Sequence, residues 1–307
     1  MIYMTTIVIA DPIHADAVTK LKEAGFTILD KSGNKDELPA VLDQAEAIIV
    51  RSATKVTPEF LDKCPNLKII GRSGVGLDNI NLEEAKTRGI KVVNSPEGPT
   101  RSVAELALGL MLAATRKFGI VIPGTKSGEW PKKEKGNELY GKTLGIIGSG
   151  AIGGQLAKYA LTLGMKVISY DIVEYDELKQ LEGFSYVPLD ELLTQADVIS
   201  THVPLLDATK HMLDKSAFAK MKPGVIVINT SRGGIIDEDA LYEAIQQGKV
   251  GGAALDVYEN EPVPEGYALT NHPLVISTPH IGAQTPEASR NNSMVIANKF
   301  ISFLTDN

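Results

Sequence analysis

Short apolar runs of strand length recur along this chain, separated by segments with helical spacing, and that alternation restricts its fold more than any other feature. In the first third, runs at 7–10, 47–50, 67–70 and 91–93 predict strands, with helical patterns at 14–24, 37–44, 58–63 and 82–88 between them. Strands that are apolar throughout, rather than alternating, belong in a parallel sheet covered on both faces. A longer helical pattern spans 100–118, and a polar segment rich in Lys and Gly at 124–140 reads as a loop or linker. A second series predicts strands at 144–147, 166–170, 198–201, 225–228, 252–255 and 275–277. The closing helical pattern, 286–303, is assigned by spacing to neither half. A length of 307 residues suits about two such domains, each with its own core.

Charge and cysteine content narrow the function. A net charge of −7 argues against a nucleic-acid-binding surface, so an anionic substrate needs a local basic pocket. The single cysteine, Cys64, excludes an internal disulfide and suits a reducing cytoplasm. It lies at the end of a predicted helix, where a structural thiol is the expectation rather than a nucleophile. Residues 1–6 lack the basic start and long apolar run of a signal peptide. The most apolar helical stretch, 103–114, is interrupted by Glu105 and is too short to span a bilayer. Neither a membrane nor a nucleic acid is expected as a partner, and no metal is called for.

Gly148-Ser149-Gly150-Ala151-Ile152-Gly153 fits the G-x-G-x-x-G pattern, follows a predicted strand and opens a predicted helix at 151–163. The first glycine permits a tight turn, the second lets the backbone approach a pyrophosphate, and the third lets the helix pack closely on the strand. The helix start offers unpaired N–H groups and a positive dipole end to phosphates. Asp171 ends the next strand about twenty residues on, where an acid binds ribose hydroxyls and repels a 2′-phosphate. That favours NAD over NADP.

In open parallel sheets, ligands sit beyond the carboxyl ends of the strands. In the second series those ends carry Asp171, His202, Asn229 to Gly234, Asp256 with Glu259 and Glu261, and Pro279 to Ala283. Hydride exchange with a 2-keto acid needs a cation for the carboxylate, which the forked donors of Arg232 supply. It also needs a proton donor-acceptor near neutral pH, suited to histidine, and a carboxylate to hold that imidazole and favour its charged form. His202 and His280 both follow strands, and spacing excludes neither as the base.

Four stretches carry a resemblance to the D-isomer-specific 2-hydroxyacid dehydrogenase family over nearly the whole chain. They are the glycine loop with Asp171, Asn229-Thr230-Ser231-Arg232-Gly233-Gly234, Ala254-Leu255-Asp256-Val257-Tyr258-Glu259-Asn260-Glu261-Pro262, and Thr278-Pro279-His280-Ile281-Gly282-Ala283. The resemblance implies that Arg232, Glu261 and His280 are catalytic. It assigns the base to His280 over His202, and the carboxylate to Glu261, which precedes proline, over Glu259. His14, His211 and His272 are left as surface or loop residues. It also implies NAD contacts at Val75, Gly148, Gly150, Ala151, Ile152, Gly153, Asp171, Val203, Thr230, Ser231, Arg232, Asp256, His280, Gly282 and Ala283. The implied architecture is α/β, with two doubly wound parallel-sheet lobes. A Rossmann-type cofactor domain at 99–284 is inserted into a flavodoxin-like substrate domain formed by 1–98 and 285–307. A homodimer or higher homo-oligomer is implied as well.

Within the family, 50–57 and 71–79 most resemble members acting on a phosphorylated hydroxy acid of serine synthesis. The expected form is a short one without a serine-binding regulatory domain. Gly74-Val75-Gly76 can turn N–H groups toward a carboxylate. Arg51 and Arg72 follow first-lobe strands and can hold a phosphate. The implied substrate set is Arg51, Arg72, Ser73, Gly74, Val75, Arg232 and His280, and Lys132 and Lys133 after Trp130 are expected to add charge, from a neighbouring subunit in an oligomer. Two alternatives stand beside this reading: a reductase of glyoxylate or hydroxypyruvate, which needs no phosphate site, and a non-enzymatic NAD sensor.

Overall fold

The computed structural model describes residues 5–305. The chain forms two compact units. One comprises the residues up to Ser102 together with those from Ala283 onward, and the other is the continuous segment Val103–Gly282.

The first unit holds a five-stranded parallel sheet of β1 (Thr6–Ile9), β2 (Thr27–Asp30), β3 (Ala47–Val50), β4 (Ile69–Arg72) and β5 (Lys91–Asn94), in the order β2-β1-β3-β4-β5. This is the flavodoxin-like order. The central strand β3 is buried along its whole length, which is why its sequence is Ala-Ile-Ile-Val without alternation. The helix Pro286–Thr305 packs on this sheet: Ile296, Ala297 and Phe300 share one core with Ile7, Ile9, Ile49 and Ile69. Gly71 in β4 makes the close packing possible, since a Cβ there would stand 2.6 Å from both Ile296 and Phe300.

The second unit holds seven parallel strands: β6 (Thr143–Ile147), β7 (Lys166–Tyr170), β8 (Phe184–Tyr186), β9 (Val198–Thr201), β10 (Val225–Asn229), β11 (Val250–Leu255) and β12 (Val275–Ser277). Their order, β12-β11-β10-β9-β6-β7-β8, reverses direction between β6 and β9, the switch point at which doubly wound sheets take ligands. Cores form on both faces, one around Leu192, Phe218 and Leu241 and the other around Met111, Leu156 and Ile228.

Several local expectations change. Two edge strands, β2 and β8, were not predicted. The fourth strand runs 69–72 rather than 67–70, so Arg72 is its last residue and does not follow it. The helical pattern at 100–118 is two helices, Thr100–Thr115 and Phe118–Lys126, bent by 72°. Lys117 breaks the run with a left-handed backbone (φ 54°). The second helix also takes the first residues of the segment read as a loop from 124. Among the described residues, no single helix is long and apolar enough to cross a membrane. Cys64 is buried, lies 3.5 Å from the Phe60 carbonyl, and has its thiol pushed up to about 11 by desolvation, as suits a packing residue.

Candidate active site

In the second unit the glycine loop leaves β6 and starts the helix Ala151–Thr162. Gly148 turns at φ 94°, where a Cβ would stand 2.6 Å from the His202 carbonyl. A Cβ on Gly153 would reach 2.0 Å from the Gly148 carbonyl, so the helix meets the turn backbone to backbone. Gly150, by contrast, faces open space. The Asp171 carboxylate caps the loop: Oδ2 accepts the Ser149 N–H at 2.6 Å and Oδ1 accepts the Val173 N–H at 3.2 Å. Thr230 is buried, and its hydroxyl has no hydrogen-bond partner among the described residues. A hollow above a side-chain-free residue, the unpaired N–H groups of a helix start and an orphaned hydroxyl fit a bound dinucleotide.

Asn229, the last residue of β10, organises the next loop. Its Oδ1 accepts from Thr201 Oγ1, Ser231 N–H and Ser231 Oγ, while Nδ2 donates to the Arg232 carbonyl at 2.8 Å. The Arg232 Nη1 donates to the Ser231 carbonyl at 2.7 Å. Gly233 lies against the loop after β11 so closely that a Cβ would stand 1.8 Å from the Tyr258 carbonyl.

The His280 Nδ1 lies 2.7 Å from Glu261 Oε2, both side chains partly exposed. Glu261 Oε1 accepts the Tyr258 N–H at 3.0 Å. Burial alone would raise the Glu261 carboxyl. The hydrogen bonds from His280 and Tyr258, with the charges of His280 and Arg232, outweigh it and hold the group below its usual range. Arg232, Glu261 and His280 therefore form one cluster. His280 Nε2 has no hydrogen bond among the described residues, and the residue holds a left-handed backbone (φ 55°). Glu259 turns away to His211 Nε2, 2.9 Å distant.

Two of the expected ligand residues also hold the chain itself. The Asp256 side chain is buried, and both its oxygens serve the chain around His280: Oδ1 accepts from Thr278 Oγ1 and Ile281 N–H, and Oδ2 from Gly282 N–H. Ser73 is buried, gives its N–H to the Val50 carbonyl, and places its hydroxyl 3.5 Å from Ser293 Oγ, so it joins strand to helix.

His202 is set apart from the cluster's chemistry. Its Nε2 lies 2.8 Å from Ser200 Oγ. Some of its surface remains accessible, yet the ring is packed so closely that burial pushes it down to about 4. A base so weak is poorly matched to neutral pH. The unfolded chain, with an ordinary histidine, binds this proton below about 6.5 while the folded chain does not, so acid favours unfolding between about 6.5 and 4. His202→Gln, which can still bond Ser200, is expected to reduce the slope of unfolding free energy against pH in that window. An unchanged slope would show that His202 titrates normally.

In the first unit, β3 and β4 end in two loops. Asp11, buried, accepts the Arg51 N–H at 2.6 Å, the Thr54 N–H at 3.1 Å and Lys35 Nζ at 2.9 Å. Burial acts to raise its carboxyl, but these donors together hold it low. The Arg51 carbonyl accepts from Asn79 Nδ2. The backbone at Arg51 is thus fixed on both sides, while its guanidinium, partly buried, has no hydrogen bond or ion pair among the described residues. Gly74 (φ 149°) leaves room for the Arg72 guanidinium, whose Nη1 a Cβ would strike. The carbonyls of Gly74 and Val75 are taken by Ser95 and by Asn94 Nδ2. The N–H groups of Val75 and Gly76 have no acceptor among the described residues, as an anion nest requires.

Residues 108–282 match the model of the D-isomer specific 2-hydroxyacid dehydrogenase family, NAD-binding domain. A D-3-phosphoglycerate dehydrogenase of Methanocaldococcus jannaschii is 45% identical over 96% of this chain, and the chain spans only 56% of that protein's length. A hydroxypyruvate reductase of Thermotoga maritima is 46% identical over 94% of this chain and 95% of its own. The solved structure of a D-lactate dehydrogenase from Aquifex aeolicus, complexed with NAD and lactic acid, superposes with a TM-score of 0.83 at 33% identity, over 98% of this chain and 96% of that one. With the family model covering more than half of its residues, the chain belongs to the D-isomer specific 2-hydroxyacid dehydrogenases, and its second unit is their NAD-binding domain.

Proposed function

We propose that this protein is an NAD-dependent D-2-hydroxyacid dehydrogenase that oxidises D-3-phosphoglycerate to 3-phosphohydroxypyruvate, a step feeding serine synthesis. The observation that carries the reaction class is the His280–Glu261 pair, clustered with Arg232 and leaving Nε2 open. The glycine loop, Asp171 and Thr230 hold NAD, which when bound accepts the hydride from C2. Arg232 binds the substrate carboxylate, orienting the carbon whose hydroxyl is to lose its proton. His280 Nε2 takes that proton, and Glu261 at Nδ1 stabilises the imidazolium that results. In the reverse direction the same imidazolium returns the proton to the keto oxygen.

The phosphate reading rests on Arg51. A partly buried guanidinium without an internal partner, on a backbone fixed by Asp11 and Asn79, is pre-set for paired hydrogen bonds to an anion. A charge-assisted hydrogen bond is worth about 1.5–3 kcal/mol, so Arg51→Ala is expected to lower efficiency roughly ten- to a hundred-fold. The loss should fall on phosphohydroxypyruvate and spare hydroxypyruvate, measured by NADH absorbance. Equal losses on both would assign Arg51 a structural role. A second reading, hydroxypyruvate reductase, draws on the Thermotoga maritima relative, which is alike along nearly its whole length. It takes precedence if the unmodified protein prefers the unphosphorylated acid.

A further inference from the structure

The loop between Asp256 and Pro262 carries Glu261, and it is tied to the start of the helix Glu238–Gln246 by one buried carboxylate. Glu238 Oε1 accepts the Glu259 N–H at 2.7 Å, and Oε2 accepts the Tyr267 hydroxyl at 2.6 Å. Among the described residues it has no cationic partner, so a charge-neutralising role does not explain its burial. Burying a carboxylate costs several kcal/mol unless hydrogen bonds compensate, and here one acceptor serves this loop and the other Tyr267 a few residues beyond it.

We propose that Glu238 is a positioning residue for the Glu261–His280 pair, anchoring through the Glu259 N–H the loop from which Glu261 reaches His280. The inference rests on the dehydrogenase reading of that pair. Three contacts at consecutive positions make the case. The Tyr258 carbonyl is pressed by Gly233, the Tyr258 N–H is bonded to Glu261 Oε1, and the Glu259 N–H is bonded to Glu238. Gly233 closes one side of the loop, and Glu238 pulls on the other. Between them the Tyr258–Glu259 peptide is held on both sides, and Glu261 is bonded to the N–H of the preceding peptide, at Tyr258, as well as to His280. With the anchor gone, the Glu259 N–H loses its acceptor, and the loop beyond Tyr258, whose own hydroxyl still holds the Leu255 carbonyl, is freer to turn away from His280. Without a fixed carboxylate at Nδ1, the imidazole loses its orientation.

The charged and titratable groups around the anchor are few. Asp239 lies beside it on its own helix, Glu259 and Tyr267 face it from the loop, and His211 pairs with Glu259. Burial, with the negative charges of Glu259 and Asp239, raises the Glu238 carboxyl above its ordinary range, against the lowering effect of its two hydrogen bonds. Glutamine reproduces the acceptor to the Glu259 N–H without the charge, so it separates the anchoring role from an electrostatic one.

The test compares Glu238→Ala and Glu238→Gln with the unmodified protein. For Glu238→Ala the expected results are a kcat lowered roughly ten- to a hundred-fold, as for a misplaced catalytic group, and an unchanged KM for NAD. Glu238→Gln should recover most of kcat. Amide exchange at Tyr258, read by NMR without substrate, should become fast in Glu238→Ala and stay slow in Glu238→Gln. An alanine variant that melts earlier but keeps kcat and Tyr258 protection would overturn the inference. Loss of Tyr258 protection in a protein that turns over no 2-hydroxy acid would leave the anchor standing and remove the dehydrogenase reading instead.

Discussion

His280→Ala is expected to lower turnover by roughly 10²–10⁴-fold while NAD still binds, the range that general acid–base catalysis contributes. The structure makes this a clean substitution. The loop around His280 does not depend on the imidazole for its shape, because Asp256 holds Thr278, Ile281 and Gly282 from below. The left-handed backbone at His280 suits histidine better than alanine, so the alanine variant also carries a small backbone cost. His280→Asn serves as a control, since asparagine tolerates that backbone and cannot act as the base. Both variants should bind NADH as tightly as the parent by fluorescence titration. His202→Ala should have a milder effect on turnover, and a larger loss there than at His280 would reverse the assignment of the base.

The second large effect is on stability. Phe300→Ala is expected to cost about 3–5 kcal/mol, the usual range for removing a fully buried phenylalanine. Phe300 is 0% exposed and fills the space above Gly71 against Ile7, Ile9 and Ile69. The gap cannot readily collapse, because the facing strands are fixed in register by their neighbours on both sides. Urea denaturation followed by circular dichroism should show the loss in the transition of the first unit. A cost below about 1 kcal/mol would mean that the helix shifts to refill the cavity.

The sequence made legible those parts of the fold that burial dictates. The strands β3 and β9 are short runs buried throughout, so their expected bounds agree with the structure, and those of β7 agree as well although Lys166 at its start is exposed. The missed strands are edge strands. In β2 no residue is fully buried and only Ile28 and Leu29 are aliphatic, and β8 is the tripeptide Phe184-Ser185-Tyr186. Neither offers enough apolar length to stand out. The break at Lys117 escaped notice because lysine carries no preference for a left-handed backbone. Candidates for the site stand out in sequence where a residue type has one chemical use, as in the glycine loop, Arg232 and the acid before proline. It was not legible where a carboxylate serves the backbone. Asp256 looks in sequence like a ligand group at a strand end, yet its partners are N–H groups that no side-chain pattern announces. Glu238 lies in the first turn of a helix, where an acid is unremarkable, and its tie to Glu259 spans 21 residues.

The helix Pro286–Thr305 also sets the order in which the chain can become a protein. The face of the first sheet formed by Ile7, Ile9, Ile49 and Ile69 is complete in sequence once β4 has emerged from the ribosome, but its cover is not. Phe300 emerges roughly 230 residues after Gly71, about 10–45 s later at ordinary rates of synthesis. Residues 103–282 are continuous and carry their own cores, so they can fold during that interval while the earlier unit waits. Exposed strand faces are the surfaces on which nascent chains associate wrongly. Each residue added within the inserted unit therefore lengthens the time for which that face must be kept from other chains.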